Sequence, residues 1–312
     1  MRVLIESEIL ARLDPEFVGR FDATLPPHLP EGELTVERVR AVDAAVAVLP
    51  DATAERHELA RSDGSTLELR VHGAPASAAI LWIHGGGMFL GSARSEDARC
   101  RELTQTLGVS TAAVDYRLAP EHGHPEPLED CFAALEWLAE RYDRVVVAGA
   151  SAGGGLALGL ALLARDRGRS TIAGVQAWYP MLDDRSLTDS VNELVHAPVW
   201  NRRLHDLGWA AYLGDREADA YGAPSRALDL TGLPPTYIEV GELDLFRDED
   251  ADFAGRLAAA GVPVEFHLDP GAVHAFDIIN PDAALSRAAM ARRVAWLATA
   301  LAESPRKDDG RP

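Results

Sequence analysis

The chain has 312 residues, 49 aspartates and glutamates against 30 lysines and arginines, and a net charge of −19. That is long enough for a large core and the wrong sign for nucleic acid or an anionic membrane surface, which need basic patches. Cys100 and Cys131 lack metal-ligand spacing and read as buried free thiols, and with a charged N-terminus and no run near ~18 apolar residues the expectation is a cytoplasmic protein without metal or membrane segment.

Residues 1–50 read as a helical preface. Asp14, Pro15 and Glu16 form an N-cap, N1 and first-turn acid arrangement, and Thr35 can cap a second helix from Val36 toward Val48. The Pro-rich connector Leu25–Pro30 lies between them. Arg56–Ala60 and Thr66–His72 are short strands around Ser62, Asp63 and Gly64, a hairpin signal. A regular alternation follows: strand Ala79–Ile83, helix Asp97–Leu107, strand Ser110–Val114, helix Leu128–Arg141, then the β-branched run Val145–Val147 and helix Ala152–Arg165. After strand Val175–Tyr179 the pattern breaks. It resumes with strand Thr236–Val240, helix Asp248–Ala260 closed by Gly261, strand Val264–Leu268 and helix Pro281–Ala302. Such alternation predicts an α/β fold, a mostly parallel central sheet with helices on both faces and ligands at the C-terminal strand ends. The gap from Leu182 to about Leu233, with one or two helices in Leu187–Leu213, reads as an inserted lid. Trp200, Trp209 and Tyr212 either face an apolar pocket or pack the lid onto the body. The expected division is a core of residues 51–182 and 234–312, with residues 1–50 and 183–233 forming a helical cap.

The stretch VVVAGASAGGGLALGLALL, residues 145–163, organises the rest. Gly149, Ala150, Ser151, Ala152 and Gly153 fit G-x-S-x-G, a tight strand-to-helix turn that exposes a serine at the start of a helix, where dipole and free N–H groups favour negative charge. A nucleophilic serine needs a base, an acid to orient it and donors for the oxyanion. Beyond residue 244 the histidines are His267, inside a strand, and His274, on the loop after it; His274 is the better base. The acid comes from the segment GELDLFRDED, where Asp244 is preferred and Glu242 is the runner-up, while Asp248 onward complements a helix dipole. His84 precedes Gly85, Gly86 and Gly87, a costly glycine run that implies close backbone approach. The N–H groups of Gly86, Gly87 and Ala152 would make a three-donor hole, with Met88 beside it as a substrate contact.

HGGGM at 84–88, DYRLAPEH at 115–122, GASAGG at 149–154, GELDLFRDE at 241–249 and PGAVHAFD at 270–277 occur in order. Together they resemble the bacterial hormone-sensitive-lipase-like family of α/β-hydrolase carboxylesterases, from about residue 50 to the end. The resemblance implies an α/β-hydrolase fold with a helical cap and a triad of Ser151, Asp244 and His274. It also implies an oxyanion hole of Gly86, Gly87 and Ala152, no cofactor, hydrolysis of small-molecule esters of short to medium acyl chains, and frequent pairing as homodimers. Two positions depart: Ala150 stands where the family usually has Asp, and Ala275 where it often has Gly. Arg117 and Glu121 are expected to form an ion pair bracing the oxyanion loop. The same triad acting on a lactone, amide or peptide bond, or a non-catalytic ligand receptor on this scaffold, are the alternatives.

Overall fold

The computed structural model describes residues 7–20, 34–43, 53–61, 63–73, 76–169 and 172–302. The connector Leu25–Pro30, the continuation of the second helix toward Val48 and Ser62 of the hairpin lie outside these residues. In chain order the helices are α1 (Ser7–Arg12), α2 (Val36–Asp43), α3 (Asp97–Leu107), α4 (Glu126–Ala139), α5 (Ala152–Asp166), α6 (Asp189–Glu193), α7 (Arg202–Leu213), α8 (Arg247–Ala259), α9 (Phe276–Ile279) and α10 (Ala284–Ala302). The strands are β1 (Glu55–Ala60), β2 (Thr66–His72), β3 (Ala78–Ile83), β4 (Ser110–Val114), β5 (Arg144–Ala150), β6 (Ile172–Trp178), β7 (Thr236–Leu243) and β8 (Val264–Val273).

These eight strands form one sheet in the order β1-β2-β4-β3-β5-β6-β7-β8. The β1–β2 and β2–β4 pairs are antiparallel and every later pair is parallel. All six residues of β3 are buried, as an unbroken apolar run covered on both faces should be. Helix α5 packs on β5 and β6 and against α4, while α10 reaches β5, β6 and α3. Such layers bury one core on each side of the sheet.

Several boundaries differ from the sequence reading, each for a physical reason. Helix α4 starts at Glu126 rather than Leu128, because Pro127 in the first turn has no N–H that the helix would need. Strands β7 and β8 run on to Leu243 and Val273, past the Gly and Pro signals at which a local reading stops them. Cross-strand pairing of Leu243 with Val273 sustains them beyond a register shift. Asp14 does cap, its side chain accepting the Glu16 N–H at 2.8 Å, but the turn it opens is a single 3-10 turn, Pro15–Phe17. The short helix α9, between β8 and α10, has no counterpart in the sequence reading.

Candidate active site

Parallel register brings the carboxyl ends of five strands to one rim. Ile83 lies opposite Gly149, Ala150 opposite Trp178, and Leu243 opposite Val273. The first residues beyond these ends are therefore His84, Ser151, Tyr179, Asp244 and His274. Residues up to 190 positions apart in sequence become neighbours because each leaves the sheet at the same level.

Ser151 holds a backbone conformation of φ 55°, ψ −122°, which an L-residue adopts only when its surroundings impose it. Here its N–H donates to Trp178 O at 2.8 Å, and its carbonyl accepts the N–H groups of Gly155 and Met181. The flanking glycines have no alternative. A Cβ on Gly153 would come within 2.1 Å of Ile83 O, and one on Gly149 within 2.3 Å of Gly153 O. Strand β5, the turn and α5 can pack this closely only with hydrogen at both positions.

The side chains of Asp244, His274 and Ser151 lie in a hydrogen-bonded line. His274 Nδ1 is 2.7 Å from Asp244 Oδ2, and His274 Nε2 is 3.0 Å from Ser151 Oγ. All three are buried. A carboxylate at Nδ1 selects the tautomer with the proton there, leaving Nε2 free to accept from the serine hydroxyl. Asp244 Oδ1 accepts the Phe246 N–H at 3.1 Å, fixing the carboxylate from behind. The imidazole is flanked edge-to-face by Tyr179 and Phe246, with ring centroids at 4.8 and 5.2 Å.

On the facing loop Gly86 and Gly87 have φ of 114° and 59°, and the Gly86 carbonyl turns inward to accept the Phe89 and Leu90 N–H groups. Among the described residues no backbone carbonyl takes the N–H of Gly86 or Gly87. The N–H of Ala152, first residue of α5, is free by its position in the helix. These three donors are the groups expected to meet an oxyanion. His84 carries this loop: its Nδ1 lies 2.7 Å from Gly85 O, its ring stacks on Tyr116 at 4.0 Å, and burial pulls its pKa down.

Of the aromatic residues expected at a pocket, Trp200 reaches the site. A Cβ on Gly87 would meet its indole at 2.2 Å, its centroid lies 6.2 Å from that of His274, and its Nε1 is buried without a partner among the described residues. Trp209 and Tyr212 pack further along α7, Tyr212 with its hydroxyl 3.2 Å from His124 Nδ1. Met88 is buried in the core, its carbonyl accepting the Ala119 N–H. Glu242 accepts the Gly271 N–H at 2.9 Å and so braces the turn before His274. His267 pairs with Glu265 on its own strand.

One expectation is corrected. Arg117 does not pair with Glu121; it forks onto Asp130 through two bonds of 2.9 Å and also meets Glu126 at 2.8 Å. A spacing of four aligns side chains only on a helix, and this segment is not helical. Glu121 instead takes Arg40 of α2, at 2.6 Å. Asp248, Glu249 and Asp250 do lie in the first turn of α8. Glu249 and Asp250 are buried, and burial, reinforced by neighbouring carboxylates, pushes their carboxyl pKa values well above the ordinary range. Glu249 Oε1 accepts the Leu182 N–H at 2.7 Å, fixing the loop after β6.

Three residues that sequence reasoning missed bear on the site. Arg40 donates to Phe89 O at 2.9 Å and to Ala119 O at 2.7 Å, tying α2 to the glycine loop. Arg12 of α1 meets Glu242 at 3.0 Å and also Glu193. Tyr179 flanks the imidazole. None carries a local signal, since each partner is chosen across the fold.

The family described as alpha/beta hydrolase fold matches residues 80–278. The chain is 39% identical to Esterase LipI of Mycobacterium tuberculosis over 63% of its own length and 65% of that relative's. With Carboxylesterase NlhH of the same organism it shares 33% identity over 81% of its length and 85% of the relative's. Among solved structures a bacterial heroin esterase superposes with a TM-score of 0.84 at 38% identity, covering 94% of this chain and 99% of that one.

Proposed function

This chain belongs to the hormone-sensitive-lipase-like family of α/β hydrolases and is a carboxylic ester hydrolase, and on that premise we propose that Ser151, His274 and Asp244 carry the reaction. Support comes above all from the line of 2.7 and 3.0 Å contacts ending at a serine beside three N–H donors. His274 Nε2 takes the hydroxyl proton as Ser151 Oγ attacks the ester carbonyl. The tetrahedral oxygen gains the N–H groups of Gly86, Gly87 and Ala152. Collapse expels the alcohol, which receives the proton from His274, and leaves an acyl-serine. Water, deprotonated by the same imidazole, then repeats the sequence and frees the acid. Asp244 stays charged throughout and holds the imidazolium.

The substrates on this reading are small esters of short to medium acyl chains, bounded by Trp200 and by a cap formed from residues 1–50 and 183–233. No helix among the described residues is long and apolar enough to cross a membrane. Two buried free thiols, Cys100 and Cys131, suit the reducing cytoplasm. A homodimer is the assembly proposed, and light scattering tests it. For the chemistry the test is Ser151→Ala assayed on p-nitrophenyl butyrate: turnover falls at least about 10³-fold while the thermal midpoint holds. Wild-type turnover in that variant eliminates the mechanism.

A further inference from the structure

The Cβ tether and two hydrogen bonds, at Nδ1 and Nε2, set the plane of the His274 imidazole, but each bond tolerates tens of degrees of misalignment. Contacts on the flanks of the ring narrow that range. Phe246 supplies one, yet its N–H is bonded to Asp244, so it moves with the acid. Trp200 adds a looser one from the lid, its centroid 6.2 Å away, and Tyr179 supplies a close one, at 4.8 Å, from a different framework.

Tyr179 follows β6, the strand between those that lead to Ser151 and Asp244. Its φ of 38° is one a tyrosine rarely adopts, and its N–H donates to Glu239 O at 2.6 Å. The preceding carbonyl, Trp178 O, accepts the Ser151 N–H, so this backbone is referenced directly to the nucleophile. The ring meets the imidazole at 66°. Its hydroxyl donates to Asp277 Oδ1 at 2.8 Å, and Asp277 lies three residues past His274. Asp277 is itself clamped, Oδ2 accepting from Arg293 at 2.9 Å and from Arg99 at 3.1 Å. Arg293, fully buried, donates onward to Glu239 at 2.5 Å. Both guanidiniums cover Trp178, at 3.7 and 4.7 Å from its ring.

Asp277, Arg293 and Glu239 are buried and Arg99 is mostly covered, and a phenylalanine at position 179 would fill the same ring volume without engaging this network. What the network does is hold the ring in one orientation. We propose that Tyr179, anchored through its hydroxyl to Asp277, is a positioning residue that narrows the tilt of the His274 imidazole relative to Ser151. The inference rests on His274 being the base.

The test is a double-mutant cycle of Tyr179→Phe and Asp277→Asn on p-nitrophenyl butyrate, with active sites counted by a serine-reactive phosphonate. Tyr179→Phe lowers kcat per titrated site about 3- to 10-fold with KM unchanged, because misorientation is felt in the chemical step. Asp277→Asn lowers it at least as far, and the double variant is no worse than Asp277→Asn alone, since both cut one linkage. Wild-type kcat in Tyr179→Phe, or two effects that simply multiply, overturns the proposal. Should Asp277→Asn leave the two arginines uncompensated and fail to fold, Tyr179→Phe and Tyr179→Leu decide it, the leucine variant losing more kcat than the phenylalanine. If no site titrates in the wild type, the assignment of the triad fails; if all sites titrate and kcat is unmoved, only the positioning role fails.

Discussion

The sheet rim and the helices that lie over it are built on different principles. On the rim each residue of the proposed triad leaves the end of a strand, and backbone bonds fix the proposed nucleophile: Ser151 has both its N–H and its carbonyl engaged, and its turn has no room for a Cβ on either flanking glycine. Over the rim, α1, α2, α6 and α7 are held mostly by side chains, with single backbone bonds such as His124 N–H to Tyr212 O and Asp14 N–H to Gly271 O beside them. Arg40 reaches two backbone carbonyls and Glu121, Arg12 bridges Glu242 and Glu193, and Trp200 leans on Gly87. Backbone-borne geometry is rigid and intolerant, whereas side-chain-borne geometry yields in small steps. Substitutions on the two sides should therefore differ in kind as well as size.

Short of removing Ser151 itself, the largest expected effect sits where the two meet. Gly87→Ala puts a methyl into the indole of buried Trp200 at a φ of 59°, displacing a proposed oxyanion donor. Loss of one such donor costs about 10²–10³ in kcat. Single-turnover measurements should show the loss in acylation; a fall confined to KM would mean that Trp200 yields and the loop does not.

Next is acid sensitivity of the overlying helices. His205 of α7 is buried beside Phe246 and Trp209, and burial pulls its pKa down to about 4. Its folded value lies below the ordinary ~6.5, so the unfolded chain binds this proton more readily. The stability that the neutral imidazole contributes is full above pH 6.5 and drains away as pH falls toward 4, on the order of 3 kcal/mol. Urea midpoints at pH 7.5 and 5 should differ less in His205→Gln than in the wild type. Equal differences in the two proteins would show that the pH response lies on the rim.

Arg40→Ala should act more gently. It removes a half-exposed pair with Glu121 and two bonds to carbonyls, worth about 1–3 kcal/mol together. KM for p-nitrophenyl butyrate should rise a few-fold, with kcat changed less; a loss in kcat matching that of Gly87→Ala would place Arg40 among the rim elements instead. Smallest is Ala275→Gly. Ala275 has a left-handed φ of 54° immediately after His274, and the ~1–2 kcal/mol strain relieved by glycine is largely offset by the entropy glycine loses. A thermal midpoint within a few degrees of wild type is expected, and a fall of more than about 8 °C would show that the methyl packs.

This division also decides what could be read from the sequence. Strand cores, the serine turn and the glycine run were legible because their signals are local: β-branched runs, small residues around Ser151, three successive glycines. His274 and Asp244 were legible because chain order and loop position leave few candidates. The extensions of β7 and β8 were hidden, since Gly241 and Pro270 read as breaks and only the partner strand overrides them. Arg117 was misassigned for the same reason. Three acids, Asp63, Glu126 and Asp130, lie within its reach in space, and sequence spacing favours a fourth that pairs with Arg40 instead. The buried network of Tyr179, Asp277, Arg99 and Arg293 spans almost 200 residues and leaves no trace in any window.

The central claim is that one serine, set by the strand ends, does the chemistry. Stoichiometric labelling with a serine-reactive phosphonate, followed by peptide mapping, tests it most directly. The account predicts one adduct per chain, on Ser151, with esterase activity lost in proportion to labelling. Activity lost with the adduct elsewhere, or retained when Ser151 is fully labelled, would contradict it.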